Sequence, residues 1–507
     1  MYRAQPLTRR QVLAGGGTVA AMAALGACTS STPAKATDVG PSSAAVAAAE
    51  SRRRAAGGQT VQTALLARPA RIDLGGQVVT TWAYGDSVPG RILRATAGDV
   101  LKVNVRNGLP QDTSVHWHGL ALRNDMDGVP GVTQQPIRPG GSMTYEFTVP
   151  HPGTYFFHPH VGTQLDRGLY APLVVDDPRE PGRYDAEFTV VVDDWLDGTG
   201  RTPDAVLSEL REGGGMGGMD MGGMDTGGMD MPSSDALGGD AGDVTYPLHL
   251  VNGRTATAPV TLAAKPGQRV RLRIINAGSD TAYRVALGGH RLTVTHTDGF
   301  PVQPVTVDTM LLGMGERYDV EVTLKDGMFP LVASAEGKKS RGMALIRTGA
   351  GRPPAASVPV AELTGRLLRL EDLKATDAVR LASARPDRIH DMLLGGDMAS
   401  YRWTINGETF DRSAPLPVRA GESVRLRFVN GTAMFHPMHV HGHTFQIRGR
   451  DGRDGPRKDT VIVRPKETVV ADLVADNPGQ WVAHCHNVYH AEAGMMVRLS
   501  YQEGGSA

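Results

Sequence analysis

Cysteine is nearly absent from this chain, with only Cys28 and Cys485 in 507 residues. Each has a separate explanation below, so no disulfide framework remains to hold the fold. An excess of either charge is absent too. Lysine plus arginine number 53, as do aspartate plus glutamate, so the formal net charge is zero. No basic run stands out beyond the first residues, which argues against a nucleic-acid partner. Past the N-terminal region there is no apolar run of the roughly 20 residues that a membrane-spanning helix needs. Helix-period patterning is scarce as well. What the chain has instead is 63 glycines and 33 prolines punctuating many short alternating runs, the pattern of strands and turns.

The N-terminus reads as an address. Thr8-Arg9-Arg10-Gln11-Val12-Leu13 has twin-arginine form, and an apolar Gly/Ala-rich stretch follows to Leu25-Gly26-Ala27-Cys28. Those last four residues resemble a lipobox. Residues 1–28 are therefore expected to be an export signal, with Cys28 acylated and holding the mature chain on the outer face of the cytoplasmic membrane. Residues 29–58, rich in Ala, Ser, Thr and Arg, read as a flexible tether.

One segment recurs three times: Gly98 to Asn107, Gly267 to Asn276 and Gly421 to Asn430. Each copy is a turn glycine followed by apolar/polar alternation, as in a half-buried strand, and ends on asparagine. Such repeats fix an architecture. They imply an all-β chain of three consecutive β-sandwich domains near 59–180, 185–350 and 358–503. A second element recurs only in the outer two: Pro152-Gly-Thr-Tyr-Phe-Phe-His158-Pro-His160 and Pro478-Gly-Gln-Trp-Val-Ala-His484-Cys485-His486. The middle domain has Asp326-Gly-Met-Phe-Pro-Leu at the comparable place. It is expected to be a structural spacer, with metal held by its neighbours.

The histidines carry the chemistry. With 16 in the chain, chance gives roughly half of one His-X-His pair. Five occur: His116/His118, His158/His160, His439/His441, His441/His443 and His484/His486. Residues two apart share a strand face, so each pair is a natural chelator. Parity also separates two sites. Cys485 points away from its neighbours His484 and His486. With His436, His490 and Met495 it supplies two imidazoles, a thiolate and a weak thioether, the ligand set of a blue-copper centre. His116, His118, His158, His160, His439, His441, His484 and His486 are left for a second centre, and eight imidazoles suit three coppers.

Four segments, His116-Trp-His118-Gly, His158-Pro-His160, His436-Pro-Met-His439-Val-His441-Gly-His443 and His484-Cys485-His486-Asn-Val-Tyr-His490-Ala-Glu-Ala-Gly-Met495, resemble the copper motifs of the multicopper oxidases. The layout is similar to the three-domain bacterial laccases and copper-resistance oxidases, whose domains are cupredoxin-like Greek-key sandwiches and which are commonly monomers. The resemblance implies four coppers. His436, Cys485, His490 and Met495 would hold the type 1 copper, and His116 and His439 the type 2. His118, His158 and His486 would hold one type 3 copper, and His160, His441 and His484 the other. His443 matches a polar position that is not a ligand. Also implied is one-electron oxidation at the type 1 copper, feeding four-electron reduction of O2 to water, with Met495 setting a moderate potential. Asp127, in Asp125-Met-Asp127-Gly-Val-Pro130, matches an acid that would deliver protons. Bacterial relatives often place a second acid directly after the residue matching His490. Here that position is Ala491, and Glu492 follows it.

A glycine-rich insert in the middle domain, residues 213–231, carries Met216, Met219, Met221, Met224, Met229 and Met231. Glycine density precludes a core, and thioether sulfur prefers Cu(I), so the insert is expected to capture Cu(I). Met434, two residues before His436, is a candidate further thioether relay, with packing as the alternative. The expected function is oxidation of Cu(I), with phenols and Fe(II) as further donors, in copper detoxification. The alternatives are a laccase acting on phenols and aromatic amines, and a copper-storage protein.

Overall fold

Each copy of the sequence repeat is an inner strand of its sheet, with the same neighbours in all three domains. Val100–Asn107, Arg269–Asn276 and Ser423–Asn430 each run parallel to the first long strand of their domain, Thr60–Asp73, Ala186–Trp195 and Arg388–Asp397. Each runs antiparallel to a later one, Ser142–Thr148, Arg317–Thr323 and Thr468–Val474. The asparagine ending each copy explains its recurrence. Asn107 Nδ2 donates to the carbonyls of Gln111 and Ile137, Asn276 Nδ2 to those of Thr281 and Leu312, and Asn430 Nδ2 to those of Met434 and Val463. Each Oδ1 accepts the N–H two residues on. A buried amide thus satisfies three backbone groups where the chain leaves one sheet for the other.

This computed structural model describes residues 37–54, 57–180, 184–213, 233–449 and 451–503. Cys28 and all six insert methionines lie outside the described residues. The domains are two-sheet sandwiches, built from sheets of four and four, seven and five, and six and six strands. The fold is all-β, with short helices at Ala44–Arg53, Pro203–Arg211 and Val488–Glu492.

Alternation reads as expected in the first copy: Leu101, Val103 and Val105 are buried while Asn104 and Arg106 are exposed. In the middle copy the polar face is covered as well. Arg271 and Arg273 are almost wholly buried because the first domain's strand Gly153–His158 lies against them. Arg271 Nη2 and Arg273 Nη1 both donate to Asp319 Oδ2, and Arg273 Nη1 donates to Thr154 Oγ1 as well. Paired charges tolerate such burial where lone ones do not.

Two expected boundaries move. Part of the tether, residues 29–58, is docked. Ser43 caps the helix Ala44–Arg53 by accepting from the Val46 N–H, and Val46 and Ala49 are buried. Glu50 Oε1 accepts from the backbone and hydroxyl of Thr148. An alanine-rich stretch reads as linker only while its partner surface is unseen. Likewise the first part of the segment 358–503 packs on the middle domain. Leu368 and Leu373 join that domain's core, and Leu367 and Ala375 bridge to Thr309 and Val302.

Candidate metal centres

Register brings the histidine motifs together. In the third domain the strand His436–Val440 lies between Thr460–Val463 and Gln480–Cys485, with Met438 opposite Cys485 and His439 opposite His484. Directly opposed residues share a face, so the cysteine and the histidines project to opposite sides. In the first domain His116 stands opposite His158 and His118 opposite Phe156. Gly128, at φ +85°, lets the turn carrying Asp127 press onto the first of these strands; a Cβ there would meet the Val115 carbonyl oxygen at 1.9 Å.

On one side, His436 Nδ1, His490 Nδ1 and Cys485 Sγ form a triangle with edges of 3.1, 3.6 and 3.7 Å. Ligands held at about 2.0–2.3 Å from one ion, at angles of roughly 100–110°, stand about 3.1–3.8 Å apart, so the three atoms fit a common metal. The outer nitrogens are anchored, His436 Nε2 at Thr432 Oγ1 (2.8 Å) and His490 Nε2 at Asp243 Oδ2 (2.9 Å). Trp403 packs over His490 with ring centroids 4.2 Å apart, and Met495 is fully buried in the same core. Burial alone would lower the His490 pKa, but Asp243 and Cys485 outweigh it and hold it up at about 10. The pocket thus favours positive charge.

On the other side, eight imidazoles converge. Their potential ligand atoms group within 4.8 Å as His118/His158/His486, His160/His441/His484 and His116/His118/His439. Two of these groupings have the same members as the type 3 sets that the resemblance implies, whereas the third adds His118 to the type 2 pair. His116 Nε2, His118 Nδ1, His158 Nε2, His160 Nε2, His439 Nε2 and both His486 nitrogens are buried without a hydrogen-bond partner. Unpaired buried nitrogen is costly, and so many in one place fit metal ions. Burial, reinforced by repulsion among neighbouring rings, holds His118, His158, His160, His441 and His486 well below the usual histidine range. Neutral imidazole is the form that binds metal.

Two buried carboxylates flank the cluster. Asp127 Oδ2 accepts from His441 Nδ1 at 2.8 Å, and its carbonyl accepts from His116 Nδ1 at 2.9 Å. Its Oδ1 lies 3.2 Å from His116 Nδ1, whose proton goes to that carbonyl, so Oδ1 has no donor of its own. Asp459 Oδ1 lies 3.2 Å from His118 Nε2, and the Asp459 carbonyl accepts from His439 Nδ1 at 2.9 Å. Burial would raise the Asp459 pKa, but the Arg317 guanidinium holds it well below the carboxylate range.

Three multicopper oxidase family models match residues 67–180, 189–350 and 384–505. The chain belongs to the multicopper oxidases. It is 53% identical over 446 residues to multicopper oxidase MmcO of Mycobacterium tuberculosis, covering 88% of each chain. To a copper resistance protein A homologue of Pseudomonas syringae pv. tomato it is 28% identical, over 85% of this chain and 91% of the other. Among solved structures, a multicopper oxidase from Pseudomonas thermotolerans matches with TM-score 0.67 and 28% identity, covering 87% of this chain and 99% of that one. The laccase of Botrytis aclada matches with TM-score 0.73 and 25% identity, over 87% and 88%. The oxidase is therefore an oxygen-using oxidoreductase, and its family implies four coppers of types 1, 2 and 3.

The remaining sequence-derived residues divide. Glu492 lines a cavity of about 30 Å³ together with His158, His160, His484 and His486, room for a water. Burial raises its pKa, against the pull of Arg211. Met434 is 2% exposed and belongs to the apolar core around Cys485, which fits packing and not an open relay. His443 stands behind the cluster, donating from Nδ1 to the His441 carbonyl and meeting Tyr501 Oη at 2.7 Å from Nε2. The middle domain is more than a spacer. It supplies Asp243 to His490, and Gly315 (φ +84°) lies so close to His118 and His486 that a Cβ would stand 2.9 Å from either ring. Asp243, Gly315, Arg317, Asp459 and Thr460 carry no spacing signal that ties them to the motifs.

Proposed function

We propose that the oxidase oxidises Cu(I) at the Cys485 centre and reduces O2 to water at the eight-histidine centre, serving copper detoxification. In this reading His436, Cys485, His490 and Met495 hold the type 1 copper, and His116 and His439 the type 2. His118, His158 and His486 hold one type 3 copper, and His160, His441 and His484 the other. Bound copper supplies the one-electron redox chemistry at both places. The chain supplies the path, because Cys485 joins through two peptide bonds to His484 and His486 across the strand. Protons must reach a buried site. Asp127, with a donor-free Oδ1 beside His116, and Glu492, in the cavity lined by His158, His160, His484 and His486, are suited to carry them.

The observation that carries the Cu(I) reading is where the methionine insert begins and ends. Before it, Arg211 Nη2 donates to the Glu492 carbonyl at 2.5 Å. After it, Asp240 bridges to Met434, and Asp243 accepts from His490. Both described ends are thus fastened to the segments that carry the Cys485 centre. Buried acid beside His490 also favours a cationic donor over a neutral phenol. Relatives bearing the name copper resistance protein A support the same role. Deletion of residues 214–232, with Cu(I) and a dimethoxyphenol assayed side by side for oxygen uptake, tests it. The reading predicts that Cu(I) turnover falls and phenol turnover persists. Equal retention of both would remove the insert from Cu(I) delivery, and poor Cu(I) turnover with strong phenol oxidation in the parent would instead make this a laccase.

Twin-arginine export and lipid anchoring through Cys28 belong to the same proposal, supported by the N-terminal motif. Fatty-acid labelling that disappears in Cys28→Ser is the expected result, and an unlabelled parent protein would contradict it.

A further inference from the structure

Arg317 joins all three domains at one buried point. Its Nε donates to the Thr154 carbonyl of the first domain (3.1 Å) and its Nη1 to the Gly315 carbonyl of its own (2.9 Å). The same guanidinium grips Asp459 of the third domain, Nη1 to Oδ1 at 2.7 Å and Nη2 to Oδ2 at 2.6 Å. Neither side chain of this pair is exposed. A bidentate pair of this kind fixes the carboxylate in place.

From there a chain of hydrogen bonds has one direction. Asp459 Oδ1 accepts the Thr460 hydroxyl at 2.8 Å. With its proton committed, Thr460 Oγ1 presents only lone pairs to His118 Nε2 and His439 Nδ1, each at 3.1 Å. Asp459 Oδ1 itself, acceptor-only, faces His118 Nε2 at 3.2 Å. Both neighbours of His118 Nε2 therefore require it to donate. A neutral imidazole has one proton, so Nδ1 is left bare, and that is the nitrogen turned to the cluster without a partner. His439 differs, since its Nδ1 also has the Asp459 carbonyl at 2.9 Å, a backbone acceptor that no side-chain change removes.

We propose that Asp459, held in place by Arg317, is the positioning residue that sets the tautomer of His118, and thereby which His118 nitrogen is offered to copper. This rests on the proposed role of His118 as a ligand. Partners of this kind typically change metal affinity roughly ten- to a hundredfold.

Two double variants separate this role from that of an ordinary ion pair. Arg317→Met/Asp459→Asn and Arg317→Met/Asp459→Leu both remove one charge of each sign, a replacement that buried pairs often tolerate. Asparagine keeps an acceptor for Thr460 and His118, whereas leucine does not. In the metal-free full-length chain, nitrogen-15 NMR of the histidines is expected to show Nε2–H for His118 in the parent and the asparagine variant. It should show Nδ1–H, wholly or in part, in the leucine variant, with His439 unchanged throughout. Copper retention at the cluster against a chelator should fall roughly ten- to a hundredfold in the leucine variant alone, with type 1 absorption intact. Equal behaviour of the two variants, whether both keep the tautomer, both lose it or both fail to fold, overturns the proposal. A parent chain that binds no copper would refute the ligand assignment instead, and the tautomer measurement is independent of it.

Discussion

Replacing Asp127 by asparagine isolates proton handling from metal holding. His116 Nδ1 donates to the backbone carbonyl of residue 127 (2.9 Å), which the substitution leaves in place. His441 Nδ1 donates to Oδ2 at 2.8 Å, a bond the amide oxygen of asparagine can also accept. What disappears is the second oxygen, the one without a donor, and with it the ability to take up and release a proton. General acid–base assistance is worth roughly 10²- to 10⁴-fold, about 3–5 kcal/mol on the barrier. Asp127→Asn should therefore keep its coppers and its rate of type 1 reduction by donor under anaerobic conditions. Its steady-state oxygen uptake should drop by two orders of magnitude or more. Stopped-flow absorbance and an oxygen electrode read the two halves separately. Unchanged turnover would remove Asp127 from proton delivery and leave it a holder of His441.

Gly315→Ala forces a Cβ to within 2.9 Å of two histidine rings at φ +84°. The backbone costs about 1–2 kcal/mol and the overpacking about 1–3 kcal/mol. Calorimetry should show a lower unfolding midpoint and metal analysis a loss of cluster copper, and a parent-like midpoint would refute the close approach. Asp243→Asn removes negative charge from His490 Nε2, which should raise the type 1 potential and slow cationic donors more than phenols; potentiometric titration that finds no shift contradicts this. His249 is pushed down to about 3 by burial, with Lys338 adding to it. Its folded pKa lies below the unfolded value, so the unfolded chain binds the extra proton and stability falls as pH drops from about 6.5 toward 3. In urea unfolding of the metal-free protein, His249→Gln should lose roughly 2–3 kcal/mol less than the parent between pH 7 and 4.5. Identical pH slopes would contradict the assignment.

The three-domain plan was legible because Gly98, Gly267 and Gly421 each open a strand that closes on asparagine. Parity alone separated Cys485 from His484 and His486, since a strand offers only two faces. Residues acting across domain contacts were hidden. Arg271 and Arg273 alternate like solvent-facing charges, and only the first domain's strand reveals that they are buried. Nothing in the spacing of Arg317 and Asp459 announces that they meet, because 142 residues separate them. The helix Ala44–Arg53 was missed because alanine-rich composition is shared by linkers and helices, and Glu50 finds its partner Thr148 98 residues away.

The most direct test of the account is the ratio of Cu(I) oxidised to O2 consumed by the copper-loaded protein, with hydrogen peroxide measured alongside. The proposed reduction of oxygen to water by four electrons predicts four Cu(I) per O2 and no peroxide. Two Cu(I) per O2 with stoichiometric peroxide, or no Cu(I) turnover by protein that carries its coppers, would contradict it.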